Sequence, residues 1–473
     1  MDASPTDRKA FRLSRWEPFL LPATVLALLG AATWLDAHGI SVPGTRRVDI
    51  VSSLRTPAAL PESTAVATAL ADSTESDQPA SDSAAGTDTA TVLPDLSALD
   101  TVGVVALENA DALEPFFQAL AAQGRSRVAW FGDSFTEGDI LVGDLREFLQ
   151  KNFGGSGVGL VPPTSPVARF RGTIKQSFSS NWKERNIMAH GGPKIAVGIA
   201  GRGSMPKIGT DSVHSSWVEL AAAERGGARS FRKLRVFLSG GSDSADSLHA
   251  SWDGGGVAHK TGSGGLREVS VDLPEVDRVR VSFQVSDTVS VEAVELESSR
   301  SGVVIDNLSI RGNSGMGILQ IPPHHLSEMH RKLGYSLVVL QFGANVADTS
   351  MTGYGWYRDR LAQVVGRIHE VFPGAAVLLV GVGDRGVRGD DGRIVSHPSM
   401  ASIVAAQRAA AERTGSAFWD MRKAMGGESS MAKWSAAGLC AADYTHISPQ
   451  GGRRLAKALN KSILMAWSKR EEK

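Results

Sequence analysis

Over the last third of this chain, apolar runs of strand length alternate with segments of helical spacing, and no other feature narrows the fold as much. Ser336 to Phe342 reads as a buried strand, Tyr357 to Phe372 as a helix and Ala375 to Val382 as a second strand. Ile403 to Arg413 is helical in spacing, Ala417 to Trp419 is a short strand, and Pro449 to Trp467 is a closing amphipathic helix. The same texture occurs earlier. Leu113, Phe116, Phe117 and Leu120 recur at helical spacing, Val128 to Phe131 is a strand that stops at Gly132, and Asp144 to Phe153 is a helix followed by Gly154. Strand and helix in alternation predict a parallel sheet with helices on both faces.

Between these stretches, from about Phe170 to Ile305, the period changes to two. Segments such as Leu234 to Leu238, Glu268 to Leu273 and Val279 to Phe283 are separated by Gly, Ser and Asp clusters, the pattern of an antiparallel β-sandwich. The chain therefore reads as one α/β domain, residues 101–169 and 306–473, interrupted by a β-rich insert at 170–305.

The N-terminus has a different character. Arg8, Lys9, Arg12 and Arg15 precede an apolar run from Pro18 to Leu35, with Trp16 and Trp34 at its ends. As a helix this run would span about 27 Å, near the thickness of a bilayer's hydrocarbon core. The basic flank predicts a cytoplasmic tail at 1–17, a single-pass inner-membrane anchor at 18–35 and a periplasmic remainder. A cleaved signal peptide is the competing reading, although a clear small-residue cleavage site is not obvious. Residues 36–100 are expected to be a disordered tether, because Thr56 to Pro94 is mostly Ala, Ser, Thr, Asp and Pro. The single cysteine, Cys440, excludes an internal disulfide and reads as a small buried apolar residue. Fifty basic and 50 acidic residues cancel, so bulk charge gives no case for a nucleic-acid partner.

Three short segments carry candidate chemistry. Gly132-Asp133-Ser134 ends one strand and precedes a helix, where a tight turn lifts a hydroxyl clear of the sheet and frees backbone N–H groups. Alone, it reads equally as a cap or turn. Asp443 and His446, three residues apart before Pro449, can be folded together by one turn so that the carboxylate orients the imidazole. Asn345, in Gly343-Ala344-Asn345 after a strand, can donate to a developing oxyanion, and Gly312 can add a backbone N–H. Each of these also has a turn-forming reading.

Taken in order, Ser, Gly, Asn and then Asp with His, this set resembles the SGNH/GDSL hydrolase superfamily. The resemblance implies a flavodoxin-like three-layer α/β fold and a serine esterase that works through an acyl-enzyme. It makes Ser134, Asp443 and His446 the catalytic triad, with Ser134, Gly312 and Asn345 as the oxyanion hole. Phe135 departs from the Leu or His often found after the serine, which bears on substrate preference. The insert and the Gly138-Asp139 and Phe153-to-Gly159 segments look like bacterial peptidoglycan and polysaccharide O-acetylesterases. In those relatives the insert resembles a carbohydrate-binding module; a lid or stability element is the alternative here. The implied partner is an acylated polysaccharide or peptidoglycan. An O-acetyltransferase using the same triad, served by a membrane acyltransferase, is a second reading, and a non-catalytic glycan-binding protein a third.

No cofactor or metal is expected. His324, His325 and His330 with Glu328 lack the spacing of the helical zinc motif. The glycines at 154, 155, 157 and 159 follow a helix instead of opening one, and Lys194 and Arg202 lack a phosphate-loop context.

Overall fold

The computed structural model describes residues 104–189, 196–206, 216–225, 227–241, 246–285, 288–298 and 301–471. The expected tail, anchor and tether, residues 1–100, lie outside them. Among the described residues, no helix is long and apolar enough to cross a membrane.

In chain order, helix α1 (Glu114–Ala121) leads into strand β1 (Arg125–Phe131), and helix α2 (Val142–Phe153) follows. The insert then supplies ten strands. These are β2 (Ile174–Phe178), β3 (Trp182–Asn186), β4 (Arg202–Pro206), β5 (Ser216–Ala222) and β6 (Phe231–Gly240), followed by β7 (Ser247–Trp252), β8 (Gly255–Lys260), β9 (Arg267–Val276), β10 (Arg278–Gln284) and β11 (Val289–Glu297). After β12 (Gly302–Asn307) come α3 (Pro323–Leu333), β13 (Tyr335–Gln341), α4 (Gly355–Val371) and β14 (Ala376–Val380). A hairpin of β15 (Gly386–Arg388) and β16 (Ile394–Ser396) precedes α5 (Met400–Thr414) and β17 (Ala417–Trp419). Helices α6 (Met421–Met425), α7 (Ser430–Ala436) and α8 (Pro449–Glu471) complete the chain.

Strands β12, β1, β13, β14 and β17 form one sheet in that order, every pair parallel. Numbered within the α/β part alone, this is the 2-1-3-4-5 order of flavodoxin-like sheets, whose switch point lies between the first and third strands. Alternation along β1 assigns its two faces. Val128 and Trp130 pack with α1, α2 and α8, whereas Ala129 and Phe131 pack with α3, α4 and α5. Strands buried on both sides read as continuous apolar runs, which is why β1, β13 and β14 were legible.

The insert is a sandwich of two antiparallel five-stranded sheets, β2-β5-β10-β7-β8 and β3-β4-β11-β6-β9. Its own core includes Val218, Leu234, Val236, Val281 and Val291. The expected seam after Ile305 falls inside a strand. Gly302–Asn307 pairs in parallel with β1 and belongs to the α/β sheet, so the insert ends with β11. The glycine run after α2 has a packing cause. A Cβ on Gly155 would lie 2.5 Å from the Val303 backbone nitrogen, so only glycine lets this loop cross β12 so closely.

Candidate active site

Ser134 lies directly after β1, Asn345 after β13, and His446 just before α8. All three thus meet at the carboxyl end of the sheet, beside the switch point. The serine turn is tight. Thr136 and Glu137 N–H groups both donate to the Asp133 carbonyl, while Phe135 N–H donates to the Asp133 carboxylate at 2.9 Å. Gly132 has no room for a side chain, since a Cβ there would sit 2.3 Å from Thr136 Oγ1. With Asp133, Phe135 and Thr136 buried, Ser134 remains partly exposed.

The Asp443–His446 segment closes on itself as its spacing predicted. His446 N–H donates to Asp443 Oδ1 at 3.0 Å, and His446 Nδ1 meets Asp443 Oδ2 at 2.6 Å. The other ring nitrogen, Nε2, lies 2.9 Å from Ser134 Oγ. Tyr444 makes the turn at φ 53°, and its carbonyl accepts from Gly386 N–H at 2.7 Å, so the β15–β16 hairpin braces the loop. Ile447 is buried, and Ser448 Oγ caps the start of α8 by accepting from Gly451 N–H at 3.2 Å. Burial pushes the Asp443 carboxyl up, but hydrogen bonds from the His446 ring and from the His446 and Thr445 backbones hold it below its ordinary value. A serine hydroxyl, an imidazole and a carboxylate are therefore linked in one chain. This arrangement can pass a proton from Oγ to Nε2 while the carboxylate stabilises the imidazolium.

Asn345 stands beside this chain with both amide hydrogens engaged. Its Nδ2 donates to the Asn313 carbonyl at 3.0 Å and to Asp133 Oδ2 at 3.2 Å. Gly312 precedes Asn313 in an exposed turn at φ 80°, and Ile310 N–H donates to the Gly132 carbonyl at 3.0 Å. The Gly312 turn is thus tied to the serine turn on one side and to Asn345 on the other.

The profile of the GDSL-like Lipase/Acylhydrolase family matches residues 293–454, a span that holds Gly312, Asn345, Asp443 and His446. Over that span the chain is similar to the GDSL-like lipase/acylhydrolase (SGNH) family. It is an esterase of that type. Among solved structures, a peptidoglycan O-acetylesterase is similar at 21% identity and a TM-score of 0.60, covering 76% of this chain and 96% of its own. A family two carbohydrate esterase from Cellvibrio japonicus is similar at 9% identity and a TM-score of 0.25, covering 63% of this chain and 98% of its own. No curated protein sequence matches.

Three features of this SGNH site were not read from sequence. Asp133 is fully buried, and burial raises its carboxyl to about 6, against hydrogen bonding by Phe135 N–H and the nearby His446. Asn313 orients Asn345 through its carbonyl. Glu137, on the serine turn, binds Arg202 of the insert and Arg311 beside Gly312. Only the first had a local signal, its place inside Gly132-Asp133-Ser134. Two of the three histidines of α3 make contacts away from the site: His325 Nε2 bonds Glu292 Oε2 at 2.8 Å, and His330 Nε2 bonds the Pro373 carbonyl at 3.2 Å. Cys440, expected to be buried, is half-buried and lies in a bridge to Ile447.

Proposed function

We propose that this esterase removes O-acetyl groups from a cell-envelope glycan through an acyl-enzyme on Ser134. The observation that carries this reading is the continuous Ser134–His446–Asp443 hydrogen-bonded chain at the carboxyl end of a parallel sheet. In the proposed reaction, His446 Nε2 takes the Ser134 proton as Oγ attacks the ester carbonyl. Asp443 holds the ring and stabilises its positive charge. The oxyanion is received by the Ser134 and Gly312 N–H groups and by the Asn345 amide. Because both Asn345 hydrogens are engaged at rest, the oxyanion takes the place of the longer contact, the one to Asp133. His446 then returns its proton to the leaving sugar oxygen, and water, activated by the same imidazole, releases acetate.

The glycan assignment draws on the likeness to a peptidoglycan O-acetylesterase and on the insert, to which we assign a glycan-holding role. The apolar run from Pro18 to Leu35 with its basic flank supports an inner-membrane anchor and a periplasmic catalytic domain. Acetate release by the full chain from acetylated glycan and from a synthetic acetyl ester tests the reading. Ser134→Ala and His446→Ala are each expected to lower kcat at least about 1,000-fold. Full activity in either variant refutes the triad. Acetylated sugar formed in place of acetate when a sugar acceptor is added makes the protein an O-acetyltransferase, with a membrane acyl donor as its partner. Binding of glycan without turnover makes it a non-catalytic glycan-binding protein.

A further inference from the structure

The rim of the site carries more positive than negative charge at one point. Glu137 follows Ser134 by three residues, its side chain is 4% exposed, and it pairs with two guanidiniums. Arg202, from β4 of the insert, occupies Oε1 and is itself 13% exposed. Arg311 donates from Nε to Oε2 at 2.7 Å and is 55% exposed. One carboxylate between two guanidiniums leaves one unit of positive charge, and it sits on the outer, solvent-facing partner. Arg311 is fixed beside the serine turn, because Ile310 N–H is bonded to the Gly132 carbonyl and Gly312 comes next. Since Glu137 engages Nε, the terminal pair of guanidinium nitrogens has no partner among the described residues.

We infer that Arg311 binds a carboxylate on the acetylated glycan, so that the enzyme prefers ester groups on or next to an acidic sugar. This rests on the esterase reading above. A guanidinium held by its Nε edge presents its two end nitrogens as a planar fork, which matches a carboxylate in two parallel hydrogen bonds. Arg202 holds Glu137 in place from the insert side, so the insert contributes to the charge reader through its strand β4. The neutral balance of the whole chain does not oppose this, because recognition at such short range depends on the local pair.

The test compares kcat/KM of the full chain on O-acetylated oligogalacturonate and on O-acetylated xylo-oligosaccharide. Arg311→Gln is expected to lower the acidic-to-neutral ratio roughly ten- to hundredfold, and Arg311→Lys to lower it less. An unchanged ratio, or an equal loss on both substrates as a merely structural role would give, overturns the inference. Binding separates this from failure of the esterase reading. In a Ser134→Ala background, acidic oligosaccharide is expected to bind at least tenfold more tightly than the neutral one, and Arg311→Gln to abolish the difference. Equal binding of the two sugars overturns the inference even where no ester is turned over.

Discussion

Asp133 illustrates how a single residue can serve the site at the expense of the fold. Its carboxylate accepts from Phe135 N–H and from the Asn345 amide, so it shapes the serine turn and holds the Asn345 side chain beside it. Burial, only partly offset by the Phe135 N–H bond and the nearby His446, raises its pKa from an ordinary 3.8 to about 6. Below about pH 3.8 the group is protonated in both folded and unfolded chains and makes no difference to stability. Between about pH 3.8 and 6 the unfolded chain releases a proton that the buried group keeps, so stability falls, and above about 6 the full cost is present. Two pH units at about 1.4 kcal/mol each make this roughly 3 kcal/mol. Asp133→Asn is therefore expected to gain stability relative to the parent by up to about 3 kcal/mol between pH 4 and pH 7.5. Denaturant unfolding at the two pH values measures it, and a difference independent of pH contradicts the assignment. The Asp443–His446 pair was legible because the two are local partners, whereas Asp133 and Asn345 meet only when β1 and β13 are neighbours. Arg202 and Glu137 meet only once the insert has docked, and neither residue's neighbours in sequence hint at the pair.

Among the elements, α8 links the site to the core. Ser448 caps its first turn two residues after His446, and near its far end Trp467 is buried against Phe117 of α1 and Phe153 of α2, with ring centroids at 5.8 and 5.2 Å. Truncation of that indole opens a cavity among three helices that cannot collapse independently. Trp467→Ala is expected to cost about 3–5 kcal/mol, read from the denaturation midpoint at constant slope. A cost below about 1 kcal/mol means that α8 is held elsewhere. Its amphipathic period made this helix readable, although it runs to Glu471, past the expected end at Trp467. The edge strand β12 was harder to place. Val303, Val304 and Ile305 have the same β-branched character as the sandwich strands before them, and only pairing with β1 separates them. Helix ends shifted for similar reasons. Helix α2 begins at Val142, two residues before Asp144, because the Leu141 backbone at φ 69° sets its start.

At the scale of the molecule, the insert docks through charge as well as apolar contact. Ile199, Phe237 and Ala293 join the core cluster shared by α3, α4 and α5. Arg127 of β1 is fully buried between Asp306 of β12 and Glu295 of β11, at 2.7 and 2.9 Å. Breaking such a pair strands a charge, so the network favours one docked position. His325 of α3 and Glu292 of β11 form a second link of the same kind. Burial opposes protonation of His325, but the hydrogen bond and charge of Glu292 outweigh it, with a smaller contribution from Glu328, and raise its pKa above 6.5. Below about pH 6.5 the imidazolium is present in folded and unfolded chains alike and the pair contributes in full. As pH rises through the raised folded value, that contribution is lost, at about 1.4 kcal/mol for each pH unit by which the two values differ. The stability of the parent relative to His325→Gln/Glu292→Gln, which lacks both titrating groups, is thus expected to be greatest at pH 5.5 and to shrink by pH 9. Calorimetric unfolding at a series of pH values checks this. A difference that grows with pH means that His325 is neutral in the folded protein, and the link across the interface is then an uncharged hydrogen bond instead of an ion pair.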